Sequence, residues 1–182
     1  MTAAEALRAG GAVILPTDTV YGLCALPGNE DVLYELKQRD RSKPIALVAL
    51  DVESLLAFAP GLDRRILMSL LPGPYTLVLP LPAGGTIGVR VPNLPSVAVD
   101  VLAVTGPVAA TSANLAGGPD PRTVDEIPRA IRDRVAAIVD GGELRGTPST
   151  VLDFTGAEPR IVREGAVPGN EAIARVRDAL AS

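Results

Sequence analysis

Apolar residues along the chain fall in short blocks divided by Gly, Pro and small polar residues, and the period within each block sets the element it predicts. Thr2 and Glu5 stand at capping-box spacing and Gly10-Gly11 follows, which predicts a short N-terminal helix. Residues 11–16 form an unbroken apolar run that reads as a buried strand, and residues 16–22 read as a loop. Asn29 is placed to cap a helix with Val32, Leu33 and Leu36 on one face and Lys37, Gln38 and Arg39 at its end. Strands are predicted over 45–50, 75–79, 86–91, 107–111, 135–139, 150–154 and 159–163, and helices over 51–59 and 62–71. Residues 97–104 are too evenly apolar for periodicity to choose between helix and strand. Thr123 and Glu126 repeat the capping-box spacing and predict a helix to about Arg134. Asn170 is expected to cap a final helix that turns Ile173, Val176 and Leu180 inward. The mixture predicts an α/β or α+β fold around a mixed sheet, and residues 1–182 read as one domain with no linker or repeat.

Composition narrows the chemistry. Histidine is absent, which removes Ser-His-Asp and Cys-His nucleophile activation, imidazole acid–base catalysis and histidine metal ligation together. Cys24 is the single cysteine, so neither an internal disulfide nor a cysteine-cluster zinc site can form, as suits a reducing compartment. A net charge of −4 and 3% aromatic residues argue against a protein built to grip a phosphate backbone or stack bases. The N-terminus lacks the long apolar core of a secretory signal, and no stretch approaches the ~20 apolar residues that span a bilayer. A cytoplasmic protein without membrane contact is the expectation.

Against the acidic background, residues 37–44 carry four cations and one acid. Such a run is commonly a solvated helix end. Arg90 interrupts an apolar strand pattern and Arg163 ends another, and a guanidinium near a core needs an anionic partner. Ser112 and Asn114 open a Gly/Pro-rich loop after a strand, and Ser149-Thr150 starts one; turn formation and ligand binding explain them equally well. No Walker loop or dinucleotide fingerprint occurs. Cations, hydroxyls and an amide without an internal nucleophile suit a polyphosphate ligand, so the residues alone indicate an anion-binding enzyme or module.

One ordered set of motifs goes further: Pro16-Thr17-Asp18-Thr19-Val20-Tyr21-Gly22-Leu23, Lys37-x-Arg39 with Lys43-Pro44, Leu71-Pro72-Gly73-Pro74-Tyr75-Thr76, Thr86-x-x-x-Arg90-x-Pro92, Ser112-x-Asn114, Ser149-Thr150 and Arg163-x-Gly165. From about residue 10 to 165 this set closely resembles the YrdC family, and the chain length resembles its short, TsaC-type form. The resemblance implies an open, twisted sheet of parallel and antiparallel strands with flanking helices and a concave face. It also implies synthesis of L-threonylcarbamoyl-AMP and pyrophosphate from L-threonine, bicarbonate or CO2, and ATP with Mg2+. The product would pass to other proteins that form N6-threonylcarbamoyladenosine in tRNA. On this resemblance Arg39 and Lys43, with Lys37 beside them, match phosphate-binding positions, and Lys37 and Arg39 are the catalytic candidates. Asn114, Arg163, Thr86 and Thr123 match the nucleotide side; Thr19, Arg90, Ser112 and Ser149 match the threonine or carbamate side. No metal ligand among the side chains is implied. Val48 stands where many members carry a histidine, Asp40 where a proline is usual, and Leu115-Ala116-Gly117 where Leu-Ser-Gly is commoner. Alanine at Lys37 or Arg39 is expected to abolish adenylate formation and spare the fold, both residues being read as an exposed helix end. The competing readings are a non-catalytic RNA-binding module, which the acidic charge disfavours along with direct tRNA contact, and a carbamoyl-adenylate-forming paralogue with another acceptor.

Overall fold

The computed structural model describes residues 1–181. Its helices are α1 (Ala3–Arg8), α2 (Asp31–Lys37), α3 (Val52–Phe58), α4 (Arg64–Leu70), α5 (Ser96–Thr105), α6 (Arg129–Arg132) and α7 (Gly169–Ala181). Its strands are β1 (Val13–Pro16), β2 (Tyr21–Ala25), β3 (Ala46–Val48), β4 (Tyr75–Pro80), β5 (Thr86–Arg90), β6 (Val108–Ser112), β7 (Ala137–Ile138), β8 (Thr150–Asp153) and β9 (Arg160–Arg163).

Local chemistry explains several boundaries. Glu5 N donates to Thr2 Oγ1 at 3.2 Å and Thr2 N donates to the Glu5 carboxylate at 2.8 Å, so the capping box at α1 is complete. Asp51 and Asp63 cap α3 and α4 with the side chain alone, accepting from Ser54 N and Arg65 N. The second box is not built. Glu126 accepts from Arg122 N, but Thr123 caps nothing, and a 3-10 turn over Val124–Glu126 gives way at Pro128 to the single turn of α6. Proline lacks the N–H that a longer helix would need there. Glu30, not Asn29, precedes α2, without a side-chain cap. The Asn170 side chain accepts only from Glu171 N, and α7 already starts at Gly169. Val176 is buried, but Leu180 is 40% exposed and does not turn inward. Residues 96–105 are helical because they bury Ala98, Val101 and Leu102 against α1 and the sheet. The loop read over 16–22 stands at residues 17–20, while Pro16 ends β1 and Tyr21 and Gly22 open β2; β2 is buried along its whole length between β1 and β6, so no alternating pattern marks it.

The strand order is β7-β1-β2-β6-β3-β5-β4-β8-β9, with parallel pairing at β1/β7, β3/β5 and β4/β8 and antiparallel pairing elsewhere. Alternation divides the side chains between two faces. On the back, Ile14, Leu23 and Ala109 pack under α2 and α6, while Leu47, Leu77, Val89 and Leu152 pack under α3, α4 and α7. On the front, α1 and α5 cover only Val13, Leu15, Cys24, Val48 and Val108. The uncovered remainder of that face is the floor of a cavity.

Candidate active site

The cavity has a volume of about 410 Å3 and reaches from β2 to β9. Its floor is made of small residues. Ala110, Ala46, Gly88 and Val78 stand side by side on β6, β3, β5 and β4, each in register with the next. A Cβ built on Gly88 would meet nothing closer than 3.5 Å, so packing leaves room there that a ligand can use. Four cations, Arg39, Lys43, Arg90 and Arg163, stand on the walls against one carboxylate, Asp120.

Arg90 leaves β5 beside Val48 and is held from the β1–β2 hairpin. Its Nη2 donates to Asp18 Oδ1 at 3.1 Å and to Thr19 Oγ1 at 3.2 Å, with both side chains of the ion pair only 12% exposed. Thr17 orders that hairpin: its hydroxyl donates to Val20 O at 2.7 Å and accepts from Thr19 N and Val20 N at 3.2 Å. Its proton is thus spent, so in their 3.1 Å contact the Thr19 hydroxyl is the donor, and Thr19 is committed to Thr17 and Arg90. Arg90 lines the cavity, and its Nε is buried without a hydrogen-bond partner. Burial and the nearby Arg163 charge lower the Arg90 pKa, against the pull of Asp18.

On the far wall, Arg163 donates through Nη2 to Ser149 O at 2.7 Å and to Ser149 Oγ at 3.3 Å. Ser149 Oγ shares a 2.7 Å hydrogen bond with Thr76 Oγ1 on β4. The turn that returns from β9 lies so close to Ser149 that a Cβ at Gly165 would come 2.3 Å from Pro148 O; only glycine fits. Thr150 faces away and accepts from Gly165 N at 3.1 Å and Val167 N at 3.3 Å, which pins this turn.

Lys37 departs from the expectation. It is 2% exposed and not a solvated helix end. Its ammonium donates to Ser112 O at 2.5 Å and to Asn114 O and Oδ1 at 2.7 Å each. Burial and the Arg39 charge lower its pKa to about 8, with Asp120 opposing. The premise of an exposed helix end, on which alanine here was expected to spare the fold, is therefore overturned, and alanine would remove the donor that joins Ser112 O, Asn114 O and Asn114 Oδ1.

Arg39, Lys43, Arg90, Ser112, Ser149 and Arg163 are thus brought together on the cavity wall. Thr19, Lys37 and Asn114 stand one layer behind it, bonded to wall residues. Thr86 is exposed at the start of β5 opposite Pro80, and Thr123 precedes the 3-10 turn; neither lines the cavity. Sequence reasoning missed Thr17, Asp18, Thr76 and Asp120. For Asp18 the signal was present, because the anion that Arg90 required lies beside Thr19 in the same motif. Among the described residues no group of three His, Cys, Asp or Glu could hold a metal ion, and no helix is long and apolar enough to cross a membrane.

The Sua5/YciO/YrdC family model, described as telomere recombination, matches residues 5–165. The chain belongs to this family. A Mycobacterium tuberculosis relative is 33% identical over 97% of this chain and 88% of its own length. The threonylcarbamoyl-AMP synthase of Bacillus subtilis is 35% identical over 91% of this chain and 53% of that protein. The structure of Pyrococcus abyssi Sua5 complexed with L-threonine has a TM-score of 0.84 at 31% identity, over 95% of this chain and 56% of that one. The mixed open sheet with flanking helices is thus the fold of the family, as the motif order implied.

Proposed function

We propose that this chain is a threonylcarbamoyl-AMP synthase: it joins L-threonine, bicarbonate or CO2, and ATP into L-threonylcarbamoyl-AMP and pyrophosphate, for N6-threonylcarbamoyladenosine formation in tRNA. The observation that carries the reading is the small-residue floor walled by four cations in an acidic protein of this family. In this reading a carboxylate of N-carboxythreonine forms a bond to the α-phosphorus of ATP as the α–β bridging bond breaks and pyrophosphate leaves. The substrate supplies its own nucleophile, so the protein's task is positioning and charge neutralisation, and the absence of histidine is no obstacle. Arg39, Lys43 and Arg163 are assigned to the phosphates. Arg90 is assigned to a carboxylate or carbamate, with the Ser149–Thr76 hydroxyl pair and Ser112 on the wall of the same cavity. Mg2+ would be held chiefly by phosphate oxygens, with Asp120 the carboxylate on the wall, and would neutralise charge on the leaving pyrophosphate. The setting assigned is the cytoplasm.

The deciding experiment is pyrophosphate release from Mg-ATP and bicarbonate, with and without L-threonine or L-serine, the nucleotide product being weighed by mass spectrometry. Release that requires both threonine and bicarbonate, with a product of threonylcarbamoyl-AMP mass, is the expected result. Folded protein that releases nothing overturns the reading, and release with another amino acid redirects it.

A further inference from the structure

We propose that Lys37 is a positioning residue that acts through Asn114 to fix the direction of the Ser112 hydroxyl, so that Ser112 accepts a hydrogen bond from the α-amine of the amino-acid substrate. The proposal rests on the reading above and adds to it a division of labour within the cationic segment: Arg39 and Lys43 face the cavity, while Lys37 faces the loop that shapes it.

Hydrogen-bond capacity assigns Lys37 its role. An ammonium has three donors, and Lys37 spends them on Ser112 O, Asn114 O and Asn114 Oδ1. Asn114 is saturated as well. Its Oδ1 accepts from Lys37 Nζ and, at 2.7 Å, from Ser112 Oγ; its Nδ2 donates to Gly118 O at 2.6 Å and to Asp120 Oδ1 at 3.3 Å. Neither residue can bond a ligand without surrendering a buried bond. Both were candidates for direct contact, and both instead form the joint between the end of α2 and the turn after β6. The consequence reaches the wall at Ser112. Its proton is committed to Asn114, so the oxygen presents lone pairs to the cavity, which is the polarity that an amine donor requires. A phosphate or carboxylate oxygen would meet those lone pairs as repulsion.

The test compares Lys37→Met, Asn114→Ala, the double variant and Lys37→Gln. In the pyrophosphate assay each of the first two should raise the threonine KM at least tenfold, with the double variant within threefold of the worse single one because both remove the same joint. For Lys37→Met, Mg-ATP affinity without threonine, read by calorimetric titration, should stay within twofold of wild type. Lys37→Gln, which keeps two donors, should recover part of the threonine KM. Above pH 8 the wild-type threonine KM should rise relative to Lys37→Met in the same buffer, as the ammonium loses one donor; the charges acting on it are Arg39 and Asp120. Multiplying defects, or a tenfold loss of ATP affinity with threonine KM unchanged, would make Lys37 a direct ligand and overturn the proposal. Amide exchange over residues 112–118 without substrate provides an activity-free readout: faster exchange in folded Lys37→Met or Lys37→Gln supports the joint, and unchanged exchange refutes it. A wild-type protein that makes no product defeats the reaction assigned above, and exchange then decides the joint by itself.

Discussion

Buried charge at single residues sets the most direct expectations. Arg90 and Asp18 are both 12% exposed, and Asp18 Oδ2 also accepts from Asn93 N at 3.3 Å, so the pair ties the β1–β2 hairpin to the end of β5. Asp18→Asn preserves the shape but leaves the guanidinium without its anion, and should cost about 3 kcal/mol in urea unfolding. Lys37 carries a pH signature in stability. Its folded pKa of about 8 lies below the ordinary lysine value of 10.5, so between those values the unfolded chain binds more protons and stability rises with pH. Wild type should gain on Lys37→Met across that window by at most roughly 3 kcal/mol, with the difference flat below pH 7. Thermal unfolding of both proteins from pH 6 to 10 checks this. The charges themselves were legible in the chain, and the need of Arg90 for an anion followed from its apolar neighbours. The inward turn of Lys37 was not legible, since a lysine at a helix end has the same local sequence whether its ammonium meets water or carbonyls.

Elements place these residues by short connections and close contacts. The β8–β9 hairpin brings Arg163 back onto Ser149, and Gly165 allows the following turn to pass against Pro148. Gly165→Ala forces backbone apart in a region where no flexible side chain can yield, so Arg163 should lose Ser149. A tenfold or greater loss of Mg-ATP affinity in calorimetric titration, in protein that still unfolds cooperatively, is the expected outcome. The same scale shows why some elements were readable and others not. The α1 cap needs only Thr2 and Glu5, three residues apart, and it formed as expected. The matching pair at Thr123 and Glu126 failed because Pro128 ended the helix that the cap would have served. β2 gave no period-two signal because it is buried along its whole length between β1 and β6, and α5 could be told from a strand only by what packs against it.

For the whole molecule, the distribution of charge matters more than its sum. The chain carries a net charge of −4 while its cavity gathers four cations, so this concave face attracts a polyanion despite the sign of the whole. Mg-ATP affinity should therefore fall severalfold between about 50 and 300 mM salt, where the Debye length shortens from roughly 14 to 6 Å, while threonine affinity changes less. Isothermal titrations at both salt concentrations test this; a salt-independent ATP affinity would place the nucleotide away from the cations. The sequence by itself determined most of the elements, the reservoir of cations and hydroxyls, and the family, because caps, periods and ordered motifs are read within a few residues of one another. Tertiary structure alone decided which polar groups reach the cavity. Lys37 finds Ser112 and Asn114 at separations of 75 and 77 residues, and Arg90 finds Asp18 at 72. Such partners are chosen by which strands lie side by side and which face a helix leaves open, so Lys37, Asn114 and Thr19 became supports and Arg39, Arg90 and Arg163 the wall.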